Sequence, residues 1–598
     1  MSLDSKGTTV TRTNYNRFLL LVAGLGGLLY GVDVGIIAGA LPYLEATSGL
    51  TAGQLSIIVA AVLLGSVLGT LFAGMLADLM GRKSLMAWSG ILFVVSIPVI
   101  ALAHGFGPLF LGRLLQGASA GLIGVVVPLY LAECLSAGSR GRGTAIFQWL
   151  LTLGIVAAAG IGMYFSYRVA AVERLGDAAQ LFRFKDIAWR SIFWVSLPPG
   201  VLFVIGSLLV AESPRWLFRR NRSDDAAAAL HRSRSDEQAA LELREMEQAA
   251  AAERAAADGT GAGARESLLK RKYVIPFLIA CVILACNQAT GVNSIIGYNA
   301  TILIQAGLSD LAAHWGYGIL TVVNFLMTIV AVVLVDRKGR KFLLSVGSAG
   351  IIVSLVAAGL LFNRTEKRRV DCAAPVQAMV SPDQTLTVGY DETVAGELLS
   401  LKGEAGRVLS RKPTSLILIY SYGNFRAATR VMRSGDAAAQ PVEIARGGCV
   451  PPNRVIAFFT NPFASLDAAR RAPLKIENAF VTPVPSATNG WALAVCLYLF
   501  MSFFAIGPGV CVWLALSELM PTRIRSNGMS IALLINQAVS TTIAAIFLPT
   551  VGKHGYAAMF FAFAACTVVY FVTATFFLPE TKGKTLEEVE EFFSRKQI

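Results

Sequence analysis

The sequence predicts an all-α polytopic membrane protein: twelve transmembrane helices in two six-helix pseudo-repeats, interrupted by a small β-rich external insert. Three observations carry this expectation. The 598 residues are 55% hydrophobic and only 15% charged, against about 25% charged in a typical soluble domain. Twelve stretches reach the ~20 mostly apolar residues that a helix needs to cross the hydrocarbon core. Two charged motifs recur with matched spacing along the chain. Length alone would suggest about four globular domains, but a stack of soluble domains would carry far more charge.

The twelve stretches run over 18–41, 55–79, 84–104, 107–133, 143–165, 189–211, 273–300, 313–335, 342–362, 489–514, 527–549 and 556–578. Gly65, Gly69 and Gly74 in span 2, and Pro508 and Gly509 in span 10, suit membrane helices, which tolerate Gly and Pro and use small residues for close contact. The first 17 residues are polar, and no small-residue cleavage site follows a short apolar core, so span 1 reads as a retained helix and not a signal peptide.

Lys and Arg set the orientation. Arg82 and Lys83 follow span 2, Arg140 and Arg142 follow span 4, Arg337, Lys338, Arg340 and Lys341 follow span 8, and Arg523 and Arg525 follow span 10. The loops after spans 1, 3 and 7 hold neither residue type. Both termini are therefore expected in the cytoplasm, with the chain in a cell membrane (plasma or inner) as a multi-pass protein. The net charge of +14 is then largely a topology signal, and no nucleic-acid partner is expected. Eight cysteines form no CxxC pair and no Cys/His cluster with zinc spacing, so neither a metal site nor a disulfide scaffold is indicated.

Two polar pieces break the pattern. Residues 215–272 are rich in Ala, Arg and Glu with helical character, a cytoplasmic linker with a Gly-rich stretch at 258–264. Residues 363–487 form an external segment whose runs QTLTVGY, SLILIYSY and RVIAFFT read as strands between Gly, Pro and Asn. Its cysteines, Cys372 and Cys449, are equally consistent with a pair and with two free thiols. The division is thus 1–214 for the first bundle, 215–272 for the linker, 273–362 with 488–579 for the second bundle, 363–487 for the insert and 580–598 for an amphipathic tail. In the tail, Leu586, Val589, Phe592 and Phe593 form an apolar stripe expected to pack under the bundle.

The repeat makes the two halves explicit. Asp78-Leu-Met-Gly81-Arg82-Lys83 returns as Asp336-Arg-Lys-Gly339-Arg340-Lys341, an offset of 258 residues. Glu133 precedes Arg140 by seven residues, as Glu518 precedes Arg525, and here the offset is 385. The offset grows by 127, close to the length of the external segment, which therefore reads as an insertion into the second half. Parallel halves with a site between them suit a transporter that rocks one half against the other. In that mechanism Asp78, Arg82, Glu133, Arg140, Arg340, Glu518 and Arg525 form a cytoplasmic gate, clamping the inner ends in one state and releasing them in the other. The alternative role is anchoring of loops at the headgroups.

With these motifs in view, the chain resembles the sugar porters of the major facilitator superfamily. The resemblance rests on GLLYGVDVGIIAG (27–39), DLMGRK (78–83), GRLLQG (112–117), VPLYLAE (127–133), RGRG (140–143), ESPRWL (212–217), NQATGVNSIIGYN (287–299), DRKGRK (336–341), GPGVCVW (507–513), SELMPTRIRS (517–526) and PETKGKTLEEVE (579–590). It covers nearly all of the chain except 218–270 and 363–487.

The resemblance implies a central cavity in which amide side chains hold the hydroxyls of a monosaccharide or related polyol. The matching positions are Gln148, Asn287, Gln288, Asn293, Asn324 and Asn536, with the aromatic residues Trp513 and Tyr30 nearby. Amides both donate and accept hydrogen bonds, and a ring face packs on the C–H face of a pyranose. The competing role for any buried amide is polar glue between helices. The chain departs from the family pattern at Asn287, where Gln is common, at Gln537, where Trp is common, at Gly297, in the place of a tyrosine, and at Val510 and Val512, in place of prolines.

Asp33 lies mid-membrane in span 1, and an intramembrane carboxylate is a functional candidate by default. The resemblance pairs it with Arg113 of span 4, as in proton-coupled members; passive facilitators carry a neutral residue there. Desolvation favours the neutral acid and a guanidinium favours the carboxylate, so separating the pair during rocking lets Asp33 take up and release a proton. A permanent salt bridge is the structural alternative. The histidines, His104, His231, His314 and His554, are expected at the surface.

The expected function is secondary active transport of a monosaccharide by alternating access with proton symport. No enzymatic activity and no cofactor are expected, the proton gradient being the driving force. A passive sugar or inositol facilitator is the rival reading, and a transporter-like sugar sensor a more distant one. The bilayer and the solute are the expected partners, and the insert is a candidate surface for a further partner.

Overall fold

The computed structural model describes residues 4–135, 137–258, 271–410, 412–435, 441–451, 454, 457, 464–511, 519–520, 525–581 and 592–593. Among the described residues, eleven helices are long and apolar enough to cross a membrane. The last, Ile531–Phe577, has 47 residues, about 70 Å of helix and more than twice the hydrocarbon thickness. Gly555 turns it back on itself with φ 87° and ψ 167°, so it comprises spans 11 and 12, and the expected set of twelve is complete.

Spans 1 to 5 are Asp4–Thr47, Ala52–Met80, Arg82–Ala101, Phe106–Cys134 and Ala137–Glu173. Span 6 is two helices, Ala178–Trp194 and Leu197–Leu209, parted where Pro198 and Pro199 begin the second. Span 7 is broken twice, into Arg271–Ala289, Val292–Gly297 and Asn299–Gln305. Spans 8 and 9 are Asp310–Lys338 and Arg340–Glu366. Span 10, Ala487–Phe504, widens into a π turn at Ala505–Gly509 around Pro508, the expected response to a ring that cannot donate to the helix ladder. Several helices extend well past the apolar runs, because the hydropathy signal stops at the hydrocarbon edge and the helix does not.

Close approach of backbones explains the glycines of span 1. A Cβ at Gly31 would lie 1.8 Å from the Leu151 carbonyl oxygen of span 5, so only Gly allows this pair to pack as it does.

The linker holds helices Pro214–Arg219, Ser223–Ser233 and Asp236–Asp258. They lie on the N-terminal half. The buried Arg234 donates to the Cys134 carbonyl at 2.5 Å and pairs with Glu242, while Arg220 and Trp216 bond to the Asp78 carbonyl. Most of the Gly-rich stretch at 258–264 lies outside the described residues. Of the tail stripe, Phe592 and Phe593 are described, and Phe593 is buried in the core of the C-terminal half; Leu586 and Val589 lie outside.

The insert is a mixed α/β unit. Its main sheet runs β1 (Val370–Asp371), β7 (Leu474–Pro483), β3 (Thr414–Tyr422) and β4 (Phe425–Ala428), all antiparallel, with β5 (Met432–Arg433) also on β3. A separate antiparallel pair joins β2 (Leu386–Val388) to β6 (Val442–Ile444). Of the three expected strand runs, the first two contain β2 and β3. The third, RVIAFFT, is helical at its described residues Arg454 and Ala457, and β7 was not foreseen because Glu477 and Asn478 interrupt its alternation. Helices Ala373–Ala378, Glu392–Ser400, Gly403–Leu409 and Leu466–Arg471 complete the unit. Cys372 and Cys449 are free thiols. Burial pushes the Cys449 thiol up to about 11 and the Cys372 thiol upward too, so both stay protonated at neutral pH.

Three apolar cores divide the bundle. Near the insert, one core is shared by both halves, with Ile37, Tyr43, Leu55 and Val59 against Tyr298, Ile302, Tyr317 and Phe547. At the opposite end, which carries the termini, each half has its own: Val22, Met86, Val127 and Tyr130 in one, Leu284, Leu344, Met520 and Tyr570 in the other. Hydrogen bonds tie the halves at the insert end as well. Tyr43 and Ser166 both donate to the Asp310 carboxylate, at 2.8 and 2.6 Å. Tyr317 donates to the Gly35 carbonyl, and the Leu548 N–H donates to Ser56. The molecule is joined at the insert end, with separate cores at the terminal end.

Candidate functional site

Asp33 and Arg113 meet in the N-terminal half. Arg113 Nη1 is 3.6 Å from Asp33 Oδ1, with both residues 1% exposed. Neither carboxylate oxygen accepts a hydrogen bond from the described residues. Arg113 instead donates to Gln116 Oε1 at 2.6 Å and lies over the Phe193 ring. This is a loosely held ion pair, buried inside the half. Its attraction is strong at low dielectric, yet among the described residues the carboxylate has no hydrogen-bond donor to hold it. Tyr30, one turn before Asp33, packs its ring against Gly124 of span 4.

In the C-terminal half the amides form a connected row. Asn293 donates to Ser540 Oγ at 2.8 Å and to Gln288 Oε1 at 2.9 Å; Gln288 donates to Asn536 Oδ1 at 3.2 Å; Asn536 donates to the Leu284 carbonyl at 3.0 Å. On an unbroken helix Gln288 and Asn293 would point about 140° apart. The break at Thr290-Gly291, with Gly291 at φ 82°, turns them together. A side chain at Gly291 would also strike the Phe563 ring.

Gln288 and Asn293 are half-buried, whereas Asn536 is buried and positions Gln288. Asn287 is 3% exposed, with its Oδ1 unpartnered. Asn324 is half-buried in span 8, and its carbonyl accepts the Thr328 hydroxyl. Gln148 of span 5 is exposed. Trp513 lies outside the described residues. Gly297 sits against Val59 and Ile37 of the other half, so the missing tyrosine is replaced by a close approach between halves.

At the terminal end the repeated motifs share a geometry. Arg82 is 2% exposed; its guanidinium pairs with Glu133 at 2.9 Å and with Asp78 at 3.0 Å and donates to the Ala77 carbonyl. Glu133 also accepts the Ser213 hydroxyl. In the other half Arg340 donates to the Val335 carbonyl. Glu518 and the side chains of Arg140 and Arg525 lie outside the described residues.

Two further acids were missed. Glu212 accepts the backbone N–H groups of Arg82 and Lys83, at 2.9 and 3.0 Å. Glu580 accepts those of Arg340 and Lys341, at 3.0 and 3.1 Å. Each carboxylate caps the N-terminus of a span, where unpaired N–H groups and the helix dipole favour an anion. The signal was present in ESPR and PETK, which place a Glu just beyond the sixth span of each half.

Gly81 and Gly339 make room, at φ 92° and 89°. A Cβ at Gly81 would lie 2.2 Å from Glu212 Oε2, and one at Gly339 2.4 Å from Glu580 Oε2. Gly81→Ala should therefore displace Glu212 and lower the melting temperature measurably in detergent, while Gly74→Ala, at an open helical position, should not. Equal melting temperatures would refute the capping role.

His314, expected at the surface, is fully buried. It stacks on Tyr43 and places its ring nitrogens 2.9 Å from the Asp310 carbonyl and 3.2 Å from the Gly39 carbonyl. Its place near a span end concealed that the end is covered by the other half.

Two six-span halves packed face to face, with a buried ion pair in one and an amide row in the other, define a multi-pass membrane transporter. The sequence profile described as sugar (and other) transporter matches residues 19–380 and 476–593. The chain belongs to that family, the sugar porters of the major facilitator superfamily. It is 25% identical to the glucose transporter GlcP of Staphylococcus epidermidis, covering 96% of this chain and 97% of that protein. It is 27% identical to the human proton myo-inositol cotransporter, covering 97% and 82% respectively. In fold it matches the xylose transporter XylE of E. coli in its inward-open conformation, with a TM-score of 0.62 over 96% of this chain and 98% of that one at 19% identity.

Proposed function

We propose that the protein is a proton symporter for a monosaccharide or a cyclic polyol, working by alternating access. The observation that carries the coupling is the Asp33–Arg113 pair, buried at 3.6 Å with no hydrogen bond to the carboxylate from the described residues. Such a group can change its protonation when its cation moves away. Kinship with the proton myo-inositol cotransporter and with the arabinose-proton symporter of Bacillus subtilis supports the same reading. The solute is held by Gln288, Asn293 and Asn324, with Asn287, Asn536, Gln148, Tyr30 and Trp513 completing the site.

The basic loops support a cytoplasmic position for the termini, and on that reading the terminal end is the inner end. With a shared core outside and separate cores inside, the molecule is in an inward-facing state. Asp78, Arg82, Glu133 and Arg340, with Arg140, Glu518 and Arg525, form the inner gate that engages when the halves rock the other way.

Adding hexoses, pentoses and inositols outside proteoliposomes loaded with a pH dye tests this reading. A transported solute should acidify the lumen as it enters. Solute entry with no change in lumenal pH would leave a facilitator in its place.

A further inference from the structure

The insert is tethered to one half of the bundle and bonded to the other. Both its chain ends run into the C-terminal half, span 9 ending at Glu366 just before β1 and β7 ending at Pro483 just before span 10. Strand β4 nevertheless lies against span 2 of the N-terminal half, and it also lies against the span 11–12 helix, where a Cβ at Gly552 would be 2.9 Å from Ala428. Beyond β4, Arg430 donates to the carbonyl oxygens of Glu45 and Ala46 at 3.2 and 3.0 Å, in the last turn of span 1. Three residues further, Arg433 donates to the Ile304 carbonyl in the last turn of span 7. The Arg430 guanidinium reaches carbonyls in the last turn of a helix, where the ladder runs out of donors, and both cations meet the negative end of a helix dipole. A Cβ at Gly448 would lie 3.3 Å from Thr51 Cγ2, at the cap of span 2.

We propose that the insert is a latch across the seam at its end of the bundle, favouring the state in which that end is shut. The inference rests on the alternating-access reading. Rocking to the opposite state must draw spans 1 and 2 away from spans 7 and 11 at this end. The tether keeps the insert with the C-terminal half, so its contacts there survive, while those of Arg430 and Gly448 with spans 1 and 2 do not. Interactions made in one state and lost in the other shift the balance between them.

The test uses the full chain in proteoliposomes with Val59→Cys as reporter, since Val59 is buried in the shared core. A membrane-impermeant maleimide is added on the insert side, and labelling is counted above that of the chain without the reporter. Arg430→Ala should speed labelling about tenfold, the worth of one hydrogen bond to a charged group. Arg426→Ala, whose partner Glu477 is within the insert, should leave the rate unchanged. An unchanged rate in Arg430→Ala overturns the latch, provided the buried Cys372 stays unlabelled and so reports a folded insert.

If Cys372 does react, the pair Thr51→Cys with Gly448→Cys decides, because these positions are close enough to bridge. Oxidation should stop solute exchange and reduction restore it; exchange unaffected by oxidation overturns the proposal. Faster labelling in a protein that moves no solute would leave the latch standing and remove the transport reading.

Discussion

Proteoliposomes containing Asp33→Asn are expected to equilibrate solute but not accumulate it. With one proton per solute, an inward gradient of one pH unit sustains about tenfold accumulation, the 1.36 kcal/mol equivalent of a pH unit. The amide can neither take up nor release that proton, so the inside-to-outside ratio should fall to about one. Exchange should slow as well as uncouple. Removing the carboxylate leaves the Arg113 guanidinium with Gln116 and the Phe193 ring as its neighbours, and an uncompensated buried charge costs several kcal/mol. Asp33→Glu keeps the titrating group and should retain some accumulation. The measurement is radiolabelled uptake with and without the pH gradient; an Asn variant that still concentrates solute would show that coupling lies elsewhere.

Gln288→Ala should raise the apparent KM for the transported solute by roughly tenfold to a hundredfold. Gln288 sits in the middle of the amide row, donating to Asn536 and accepting from Asn293. On the proposed reading its loss removes contacts to a solute hydroxyl, and it takes the donor from Asn536 Oδ1 and one acceptor from Asn293. Unpaired buried polar groups cost about 1–3 kcal/mol each, which sets the range. Gln288→Asn, one methylene shorter, should fall between wild type and Ala. Asn324→Ala should have a smaller effect, since its side chain stands outside the row. Uptake kinetics across a solute panel would check the ranking, and a Gln288→Ala protein with wild-type KM would remove the row from the binding site.

The fold was readable because membrane insertion writes itself into composition. Lipid demands ~20 apolar residues per span, and the DLMGRK and DRKGRK motifs mark where the halves repeat. The positions of Gln288 and Asn293 were readable from motif resemblance, but their contact was not: it depends on a break at Gly291 that no hydropathy pattern reports. Glu212 and Glu580 were visible as letters and invisible as caps, since their partners are backbone groups 130 and 240 residues away. The burial of His314 was hidden for the same reason, for it is created by span 1 of the other half closing over it. In the insert, β3 was legible from its continuous apolar run, whereas β7 hides polar residues that face out of a half-exposed sheet.

The separation of the cores at the terminal end has a consequence for how the chain comes into being. A ribosome delivers the N-terminal six spans first, and among the described residues their core of Val22, Met86, Val127 and Tyr130 contains none from the second half. Those spans can therefore finish that part of their packing in the membrane before span 7 is synthesised. The shared core beside the insert must wait, because Tyr298, Tyr317 and Phe547 arrive later. Assembly then ends at the same seam that the proposed rocking would reopen, so the last contacts made in biogenesis are ones that cycle would break.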